Sequence, residues 1–257
     1  MSDYYKGKRT RNIYSPSDDK PFKLSRSKID LFMECPRCFY IDRRLGLGRP
    51  PGFPFALNSA VDSMLKNEFD TLRQNGGSHP LLDQFGVDAK PAPHEMIDEW
   101  RENFKGVQYL HEPTNLIITG AIDDLWISSN GEYIIADYKA TAKADPVKEL
   151  GDASYHNGYR RQLEVYQWLL RNNGLEVSNK AYWVYCTGKP NEESFDACIN
   201  FDIHVIEHDG NDGWVEPTIL KLKQTLDADT IPDANSDCDY CIFWNHRDEV
   251  VKQAEAK

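Results

Sequence analysis

The hydrophobic and polar positions of the chain follow helical periods in some stretches and strand-like runs in others. Helical periods predict helices at residues 25–34, 56–74, 95–104, 153–173 and 214–228, and apolar runs predict strands at 106–112, 180–187 and 200–208. Residues 116–141 predict a β-hairpin, because Asn130-Gly131 is a strong turn signal between flanks rich in β-branched residues. This order predicts an α/β (mixed α+β) fold, with a central mixed β-sheet flanked by helices.

Both ends of the chain and one internal stretch lack these periods. Residues 1–20 are polar and basic and are expected to form a flexible tail, and residues 248–257 are expected to form a C-terminal tail. Residues 75–98 contain Gly76-Gly77 and several prolines, which predicts an insertion or a long connection. The remaining residues, 21–247, are predicted to form one domain, since 257 residues with 40% hydrophobic content allow a single core.

The predicted hairpin carries acidic residues and one lysine. Asp137 and Lys139 are two positions apart on a strand, so their side chains point to the same face. Asp123 lies across the turn, but a one-residue change of register would put Asp124 there instead, so both remain candidates. Carboxylates can hold a divalent cation that neutralises a phosphodiester and activates water, while a lysine stabilises the transition state. The alternative is an ordinary exposed hairpin, but the apolar run Ile134–Ala136 directly before Asp137 favours a functional charge.

Three motifs follow one another within residues 120–166: Gly120-Ala-Ile-Asp123, Asp137-Tyr-Lys139 and Gln162-Leu-Glu-Val-Tyr166. In order and spacing they resemble the Gly-x-x-Asp, Asp/Glu-x-Lys and Gln-x-x-x-Tyr motifs of the PD-(D/E)XK nuclease superfamily. The resemblance is to the RecB-like branch, which includes CRISPR adaptation nucleases and AddB-type iron–sulfur nucleases. It implies a restriction-endonuclease-like core, with Asp123 preferred to Asp124 as a ligand of Mg²⁺ or Mn²⁺ beside Asp137. It also implies that Lys139 positions the attacking water.

The same resemblance implies roles for residues on two helices and for one carbonyl. Gln162 and Tyr166 share a helix face and would orient the site, although Tyr166 could instead be a core residue and Gln162 a cap or surface residue. The branch usually has Gly-x-x-x-His on an early helix, and this chain has Asn58-Ser-Ala-Val-Asp62 there. Asp62 would replace the histidine as a metal ligand, with Glu68 as a weaker candidate, and a solvated helix face is an equal alternative. The carbonyl of Tyr138 is a further expected ligand.

Four of the six cysteines form two Cys-x-x-Cys pairs, Cys35–Cys38 and Cys238–Cys241. No signal peptide is evident, so we expect a cytoplasmic protein with reduced thiols, and each pair can bind one soft metal. Iron–sulfur members of the branch hold a [4Fe–4S] cluster with one N-terminal and three C-terminal cysteines. The last of these is missing near His246, and Cys38 would replace it.

Three interpretations of these four cysteines follow. The resemblance favours a [4Fe–4S] cluster over Zn²⁺, and four reduced thiols packed between helices are the third alternative. Cys186 lies in an apolar strand run and is expected in the core, and Cys198 has no assigned role.

The net charge of −11 counts against simple non-specific nucleic-acid binding, which depends on neutralising phosphates, but local charge matters more than the sum. Three of four basic clusters flank the motifs, unless basic residues are simply scattered over an acidic surface. The clusters are Lys6–Arg11, the group Arg37, Arg43, Arg44 and Arg49, Lys139–Lys143, and Arg160–Arg161. No apolar run is long enough for a membrane span, so no membrane association is expected.

The expected function is that of a metal-dependent deoxyribonuclease acting in DNA repair, recombination or CRISPR-type DNA processing. A helicase or a CRISPR or repair protein is the expected partner, and the strandedness of the nucleic acid, as well as RNA as a substrate, remains open. One alternative is a catalytically silent nuclease-fold DNA-binding or scaffold subunit with a structural cysteine metal site. Another is a protein of different function whose cysteines form a zinc clip.

Overall fold

The computed structural model describes residues 7–52 and 56–256. Residues 1–6 of the predicted N-terminal tail, together with 53–55 and 257, lie outside the described residues. The α-helices are α1 (Arg26–Glu34), α2 (Pro36–Arg43), α3 (Ala56–Asn75), α4 (Pro80–Gln84), α5 (Ile97–Trp100), α6 (Ser154–Asn172), α7 (Val215–Asp227) and α8 (Asp239–Glu255). The strands are β1 (Phe22–Ser25), β2 (Lys90–Pro91), β3 (Val107–His111), β4 (Leu116–Gly120), β5 (Asp124–Ile127), β6 (Tyr133–Ala142), β7 (Lys180–Gly188) and β8 (Phe201–Asp209).

The predicted mixed α+β fold is confirmed, and the chain divides into two compact units. We call Met1–Phe53, Leu110–Ile118 and Glu216–Lys257 the cysteine unit, and Pro54–Tyr109 and Thr119–Val215 the sheet unit. Two sheets are described, one with the strand order β1-β4-β3 and one with the order β2-β5-β6-β7-β8. In the described part of the chain, no helix combines the length and the apolar character that crossing a membrane requires.

The five-stranded sheet lies in the sheet unit and is mixed. Strands β5 and β6 are antiparallel, β6 and β7 are parallel, and β7 and β8 are antiparallel. The parallel pair requires a crossover, which contains α6. In the register of β5 and β6, Asp124 lies opposite Ala136, and Asp137 lies opposite Trp183 of β7. The sheet therefore places the second acid of the predicted hairpin on a central strand.

The predicted hairpin at 116–141 is confirmed only for its second part. The predicted first strand is broken into β4, which belongs to the three-stranded sheet, and β5, which pairs with β6. Between these strands, the backbone N–H of Ile122 donates to the carbonyl of Trp100 at 3.1 Å and its side chain is fully buried. A long-range contact thus competes with the local hairpin. The turn itself closes at Ser128 and Glu132, and Gly131 takes the positive φ of 90°.

The core of the sheet unit forms where α3 packs on the five-stranded sheet. Val61, Leu65 and Phe69 recur at helical spacing and are buried. The Phe69 ring stacks on Trp126 of β5 with centroids 5.4 Å apart and lies 5.7 Å from the Tyr138 ring of β6. Each such side chain contributes roughly 1.5–3 kcal/mol on burial, so this packing fixes the face of α3 that points to β6.

Structure is also present in the stretches that had no clear period. The predicted helix at 95–104 is reduced to the single turn of α5, and the predicted insertion at 75–98 contains α4 and β2. Within the predicted N-terminal tail, Tyr14 is buried and its hydroxyl donates to Asp227 at 2.5 Å. Residues 248–255 of the expected C-terminal tail continue helix α8. Most side chains of α8 are exposed, so it lacks the apolar stripe that marks the other long helices.

Candidate active site and cysteine site

Strands β5 and β6 bring the two acids of the nuclease-like motifs side by side. Because Asp124 lies opposite Ala136, Asp123 continues the strand towards Asp137. The backbone N–H of Tyr138 donates to Asp123 Oδ2 at 3.0 Å, which holds that carboxylate against β6. The charge of Asp123 raises the pKa of Asp137, which is a further sign that the two carboxylates are close. The structure therefore assembles an acidic pair from residues fourteen positions apart (137 − 123).

Asp137 is a buried carboxylate paired with the Lys139 ammonium group. Its side chain is fully buried, the Lys139 ammonium group forms an ion pair with Oδ2, and beyond that contact neither oxygen accepts a hydrogen bond from the described residues. The pKa of Asp137 is raised to about 7. Burial raises it most, the charge of Lys139 lowers it, and the charge of Asp123 raises it. Burying a carboxylate is costly even beside one ammonium group, and a further bound cation would offset that cost. These oxygens, beside a second carboxylate, suit the hard-oxygen coordination of Mg²⁺ or Mn²⁺.

Lys139 is fixed at the centre of the site by three contacts. It forms an ion pair with Asp137, donates to Gln162 Oε1 at 3.3 Å, and has its Nζ 4.8 Å from the ring centroid of Tyr159. Burial lowers the pKa of Lys139, but Asp137 and Asp123 outweigh burial, and the pKa is raised. The side chain therefore remains an ammonium group, suited to stabilising negative charge and to holding a water by donation.

The Gln-x-x-x-Tyr pair supports this lysine from α6. Gln162 Nε2 donates to the Tyr166 hydroxyl at 3.1 Å, while the amide oxygen of Gln162 accepts from Lys139. Tyr166 is buried, and a Cβ atom on Gly120 would lie 2.5 Å from its ring. The motif glycine is thus explained by packing, because Tyr166 passes over the backbone where only glycine fits.

Asp124, the rival candidate from the sequence, has a different environment. Its buried carboxylate accepts hydrogen bonds from Arg101 at 2.6 Å, from the Tyr138 hydroxyl at 2.7 Å, from its neighbour's backbone N–H at 2.8 Å and from Trp126 at 3.1 Å. Arg73 adds an ion pair. The carboxylate oxygens of Asp124 are thus occupied by hydrogen bonds and ion pairs within the fold, and this residue stabilises the structure. Asp123 is the acid that remains available to bind a metal.

Asp62 lies on α3 and is linked to the acidic pair by Lys66, a residue that the sequence motifs did not indicate. Lys66 Nζ lies 2.9 Å from Asp62 Oδ2 and 3.5 Å from Asp123 Oδ1. Burial raises the pKa of Asp62, Lys66 lowers it, and Asp123 raises it. Asp62 therefore faces the acidic pair. Glu68 does not join it, because its exposed carboxylate is 3.0 Å from His79. The spacing of four between Asp62 and Lys66 was the available signal for this lysine.

A cleft of about 420 Å³ opens beside these residues in the sheet unit. It is lined by Asn58, Val61, Asp62, Tyr138, Lys139, Ala140, Thr141, Ala142 and Tyr159. Three predicted site residues, Asp62, Tyr138 and Lys139, thus share one cleft. Tyr159 is a cleft residue that sequence reasoning missed, although its position one helical turn before the motif glutamine could have marked it.

Several of the basic residues near the motifs are engaged in internal contacts. Arg43 is buried and donates to Asp42 at 3.0 Å, and Arg49 donates to Glu34 at 2.6 Å. Arg160 donates to the carbonyl of Leu150 at 2.9 Å. Lys6 of the first basic run lies outside the described residues. Basic residues counted along the sequence therefore overstate the charge that is available to a phosphate backbone.

The cysteine unit brings both Cys-x-x-Cys pairs together. Cys38 Sγ lies 3.6 Å from Cys238 Sγ and 3.7 Å from Cys241 Sγ, Cys35 Sγ lies 3.9 Å from Cys241 Sγ, and all four sulfur atoms lie within 4.8 Å of one another. Each pair begins at the N-terminus of a helix, α2 or α8, where free backbone N–H groups favour thiolates. Arg49 donates to Cys238 Sγ at 3.5 Å and adds positive charge. The four cysteines could therefore hold a metal.

The size of this sulfur group bears on which metal fits. A Zn–S bond of about 2.3 Å gives a tetrahedron whose sulfur atoms are about 3.8 Å apart, which agrees with the separations of 3.6, 3.7 and 3.9 Å. A [4Fe–4S] cluster places four irons and four sulfides inside the thiolates, so the sulfur atoms stand farther apart. The other two cysteines are apart from this group, with Cys186 buried in the core and Cys198 exposed.

The comparisons with known proteins agree with the motifs. Residues 23–246 match the family model of the PD-(D/E)XK nuclease superfamily. The match includes both cysteine pairs, the acidic pair and the residues of α6 that support Lys139. A search of curated proteins found no match.

Proposed function

The chain belongs to the PD-(D/E)XK nuclease superfamily, and from this we propose that it hydrolyses phosphodiester bonds of DNA with a divalent cation held by Asp123 and Asp137. The observation that carries the proposal is the environment of Asp137. Both of its oxygens are buried, the Lys139 ammonium group forms an ion pair with one of them, and beyond that contact they accept no hydrogen bond from the described residues. A divalent cation bound beside the Lys139 ammonium group would further offset the cost of burying this carboxylate.

Each residue of the site has a separate proposed role. Asp123 and Asp137 would hold Mg²⁺ or Mn²⁺, with Asp62 and the carbonyl of Tyr138 as additional oxygen ligands. When bound, the cation supplies neutralisation of the phosphodiester and a more acidic water. Lys139 donates hydrogen bonds to the water or the phosphate oxygens and stabilises negative charge as it develops.

The remaining residues keep this lysine in place. Gln162 accepts from Lys139 and donates to Tyr166, and Tyr166 is fixed by its packing on Gly120. This arrangement limits the rotamers of the longest side chain in the site. Preorganisation of this kind lowers the barrier, because no rearrangement is needed when charge develops.

Cleavage of end-labelled linear and closed circular DNA tests the proposal. We expect cutting that requires Mg²⁺ or Mn²⁺ and stops on chelation. Cutting of the circle would identify an endonuclease, and cutting of the linear substrate alone would identify an exonuclease. No cutting with either metal would favour the alternative of a catalytically silent DNA-binding subunit. A helicase or a CRISPR or repair protein would then be the partner to seek.

For the cysteine unit we propose one structural Zn²⁺ ion, bound by Cys35, Cys38, Cys238 and Cys241. The sulfur separations support a single tetrahedral ion over the [4Fe–4S] cluster that the resemblance favoured. Metal analysis of protein purified without oxygen tests this. One zinc per chain, without the visible absorption of an iron–sulfur cluster, is expected, and four irons with four sulfides would reverse the assignment.

A further inference from the structure

Aromatic side chains line the approach to the catalytic lysine on the first turns of α6. Tyr155 and Tyr159 are one helical turn apart, and their ring centroids are 5.9 Å apart at an interplanar angle of 74°. The Tyr155 ring also lies 4.3 Å from the His156 ring. Tyr155 is 51% exposed, whereas Tyr159 is half-buried and lies against Lys139. The aromatic surface therefore runs from solvent to the lysine.

The cleft beside Lys139 combines this aromatic surface with polar groups. Tyr159 and Lys139 both line it, together with Asn58 and Thr141. The Asn58 amide N–H group donates to the carbonyl of Ala140 at 2.8 Å, which orients the side chain and leaves its amide oxygen as an acceptor. An aromatic ring, an amide oxygen and a hydroxyl are the groups that proteins use to stack on a nucleobase and to bond its edge.

We propose that this cleft is a subsite for an unpaired nucleobase adjoining the scissile phosphate, stacked on the face of the Tyr159 ring opposite Lys139. The inference rests on the proposed function, because Lys139 must contact the scissile phosphate. The Tyr159 ring, with its centroid 4.8 Å from Lys139 Nζ, then lies within reach of the nucleotide next to that phosphate. In a duplex the faces of that base are covered by its stacked neighbours, so stacking on Tyr159 requires an unpaired, unstacked base. The preferred substrate is therefore single-stranded DNA or a frayed end.

Fluorescence of 2-aminopurine tests the subsite without depending on cleavage. This base is quenched when it stacks on an aromatic ring, so it is placed in a single-stranded oligonucleotide and titrated with protein in Ca²⁺, under conditions without cutting. We expect quenching by the native protein and by Tyr159→Phe, which keeps the ring. We expect Tyr159→Ala to lose the quenching and to bind about tenfold more weakly, as removal of one stacked base predicts.

Two controls separate a subsite from general effects. Phe195→Ala removes a 71% exposed aromatic side chain of the same unit outside the cleft and should leave quenching unchanged. A fully paired duplex carrying the same base should bind more weakly than the single strand. Circular dichroism measures whether each variant is folded. If Tyr159→Ala does not fold, Tyr159→Phe, which keeps the ring, still tests whether quenching persists.

The outcomes distinguish this inference from the proposed function. Unchanged quenching and affinity in Tyr159→Ala, or equal affinity for duplex and single strand, would overturn the subsite even if the protein cuts DNA. Loss of quenching specific to Tyr159→Ala would support it even if no cutting is seen with Mg²⁺ or Mn²⁺, because the cleft would then serve a binding subunit. In the active protein, Tyr159→Ala should raise KM for single-stranded DNA about tenfold, with a smaller change in kcat.

Discussion

The backbone N–H of Tyr138 donates to the carboxylate of Asp123 at 3.0 Å. This hydrogen bond ties the end of the Gly-x-x-Asp motif to the middle of the Asp-x-Lys motif. It places Asp123 against Asp137, and it leaves the second oxygen of Asp123 directed to Lys66, 3.5 Å away. Asp124, one position later, instead receives donors from Arg101, Tyr138 and Trp126. We therefore propose separate roles for these adjacent acids, metal binding for Asp123 and stabilisation of the fold for Asp124.

The separate roles predict opposite phenotypes for two matched substitutions. Asp124→Asn should lower the free energy of unfolding by about 3 kcal/mol or more, because the Arg101 and Arg73 guanidinium groups would lose their buried counter-charge. Asp123→Asn should change that free energy little and should abolish cleavage. Urea unfolding and a cleavage assay measure both. A larger loss of stability in Asp123→Asn than in Asp124→Asn would contradict the assignment.

The raised pKa of Asp137 predicts a pH dependence of metal binding. Because burial raises this pKa to about 7, the carboxyl group is protonated at acidic pH, and a cation must displace the proton. Mn²⁺ affinity should therefore rise with pH and level off above about 7, with a fall of about tenfold per pH unit below it. Calorimetric titrations in buffers of different ionisation enthalpy would measure the proton released. Affinity that stays constant between about pH 5 and about pH 8 would contradict a role for Asp137 in binding the metal.

The position of Lys66 predicts that its charge opposes metal binding. Its ammonium group lies 2.9 Å from Asp62 and 3.5 Å from Asp123, so it repels a cation bound to the same carboxylates. Lys66→Gln should bind Mn²⁺ about tenfold more tightly, the effect expected of one charge at this range in a solvated site. Lys66→Arg should retain the native affinity. Lys180→Gln is the control, because it breaks a similar 3.0 Å ion pair with Glu207. Weaker binding by Lys66→Gln would mean that the lysine organises the ligands instead.

The sulfur group of the cysteine unit predicts a stability that depends on metal. Cys38→Ser should lose the bound zinc and lower the melting temperature by about 10 °C, since the ion ties α2 to α8 through both pairs. A strong chelator should have the same effect on the native chain and no further effect on the variant. Cys198→Ser, at an exposed position, should retain zinc and melt as the native chain does. Equal melting temperatures of the native chain, Cys38→Ser and Cys198→Ser would rule out a structural ion.

The periodic elements and the motif order could be predicted from the sequence, because both depend on residues close along the chain. Helices α3 and α6 and strand β7 match their predicted ranges closely, and the family match confirms the superfamily. The role of Asp124 could not be predicted, since its partners Arg73 and Arg101 come from distant elements. The break between β4 and β5 had the same origin, a contact of Ile122 with Trp100. Helix α8 was missed because its exposed side chains show no apolar stripe.

The most direct test of the proposed function is metal-dependent cleavage by Asp137→Asn. This substitution keeps the size of the side chain and removes the buried charge that a cation would require. Asp145→Asn makes the same chemical change at an exposed acid and serves as the matched control. With Mg²⁺ or Mn²⁺ and labelled DNA, we expect Asp145→Asn to cut at the native rate and Asp137→Asn to cut about a hundredfold more slowly or not at all. Cutting by Asp137→Asn at the native rate would contradict the assignment of the active site.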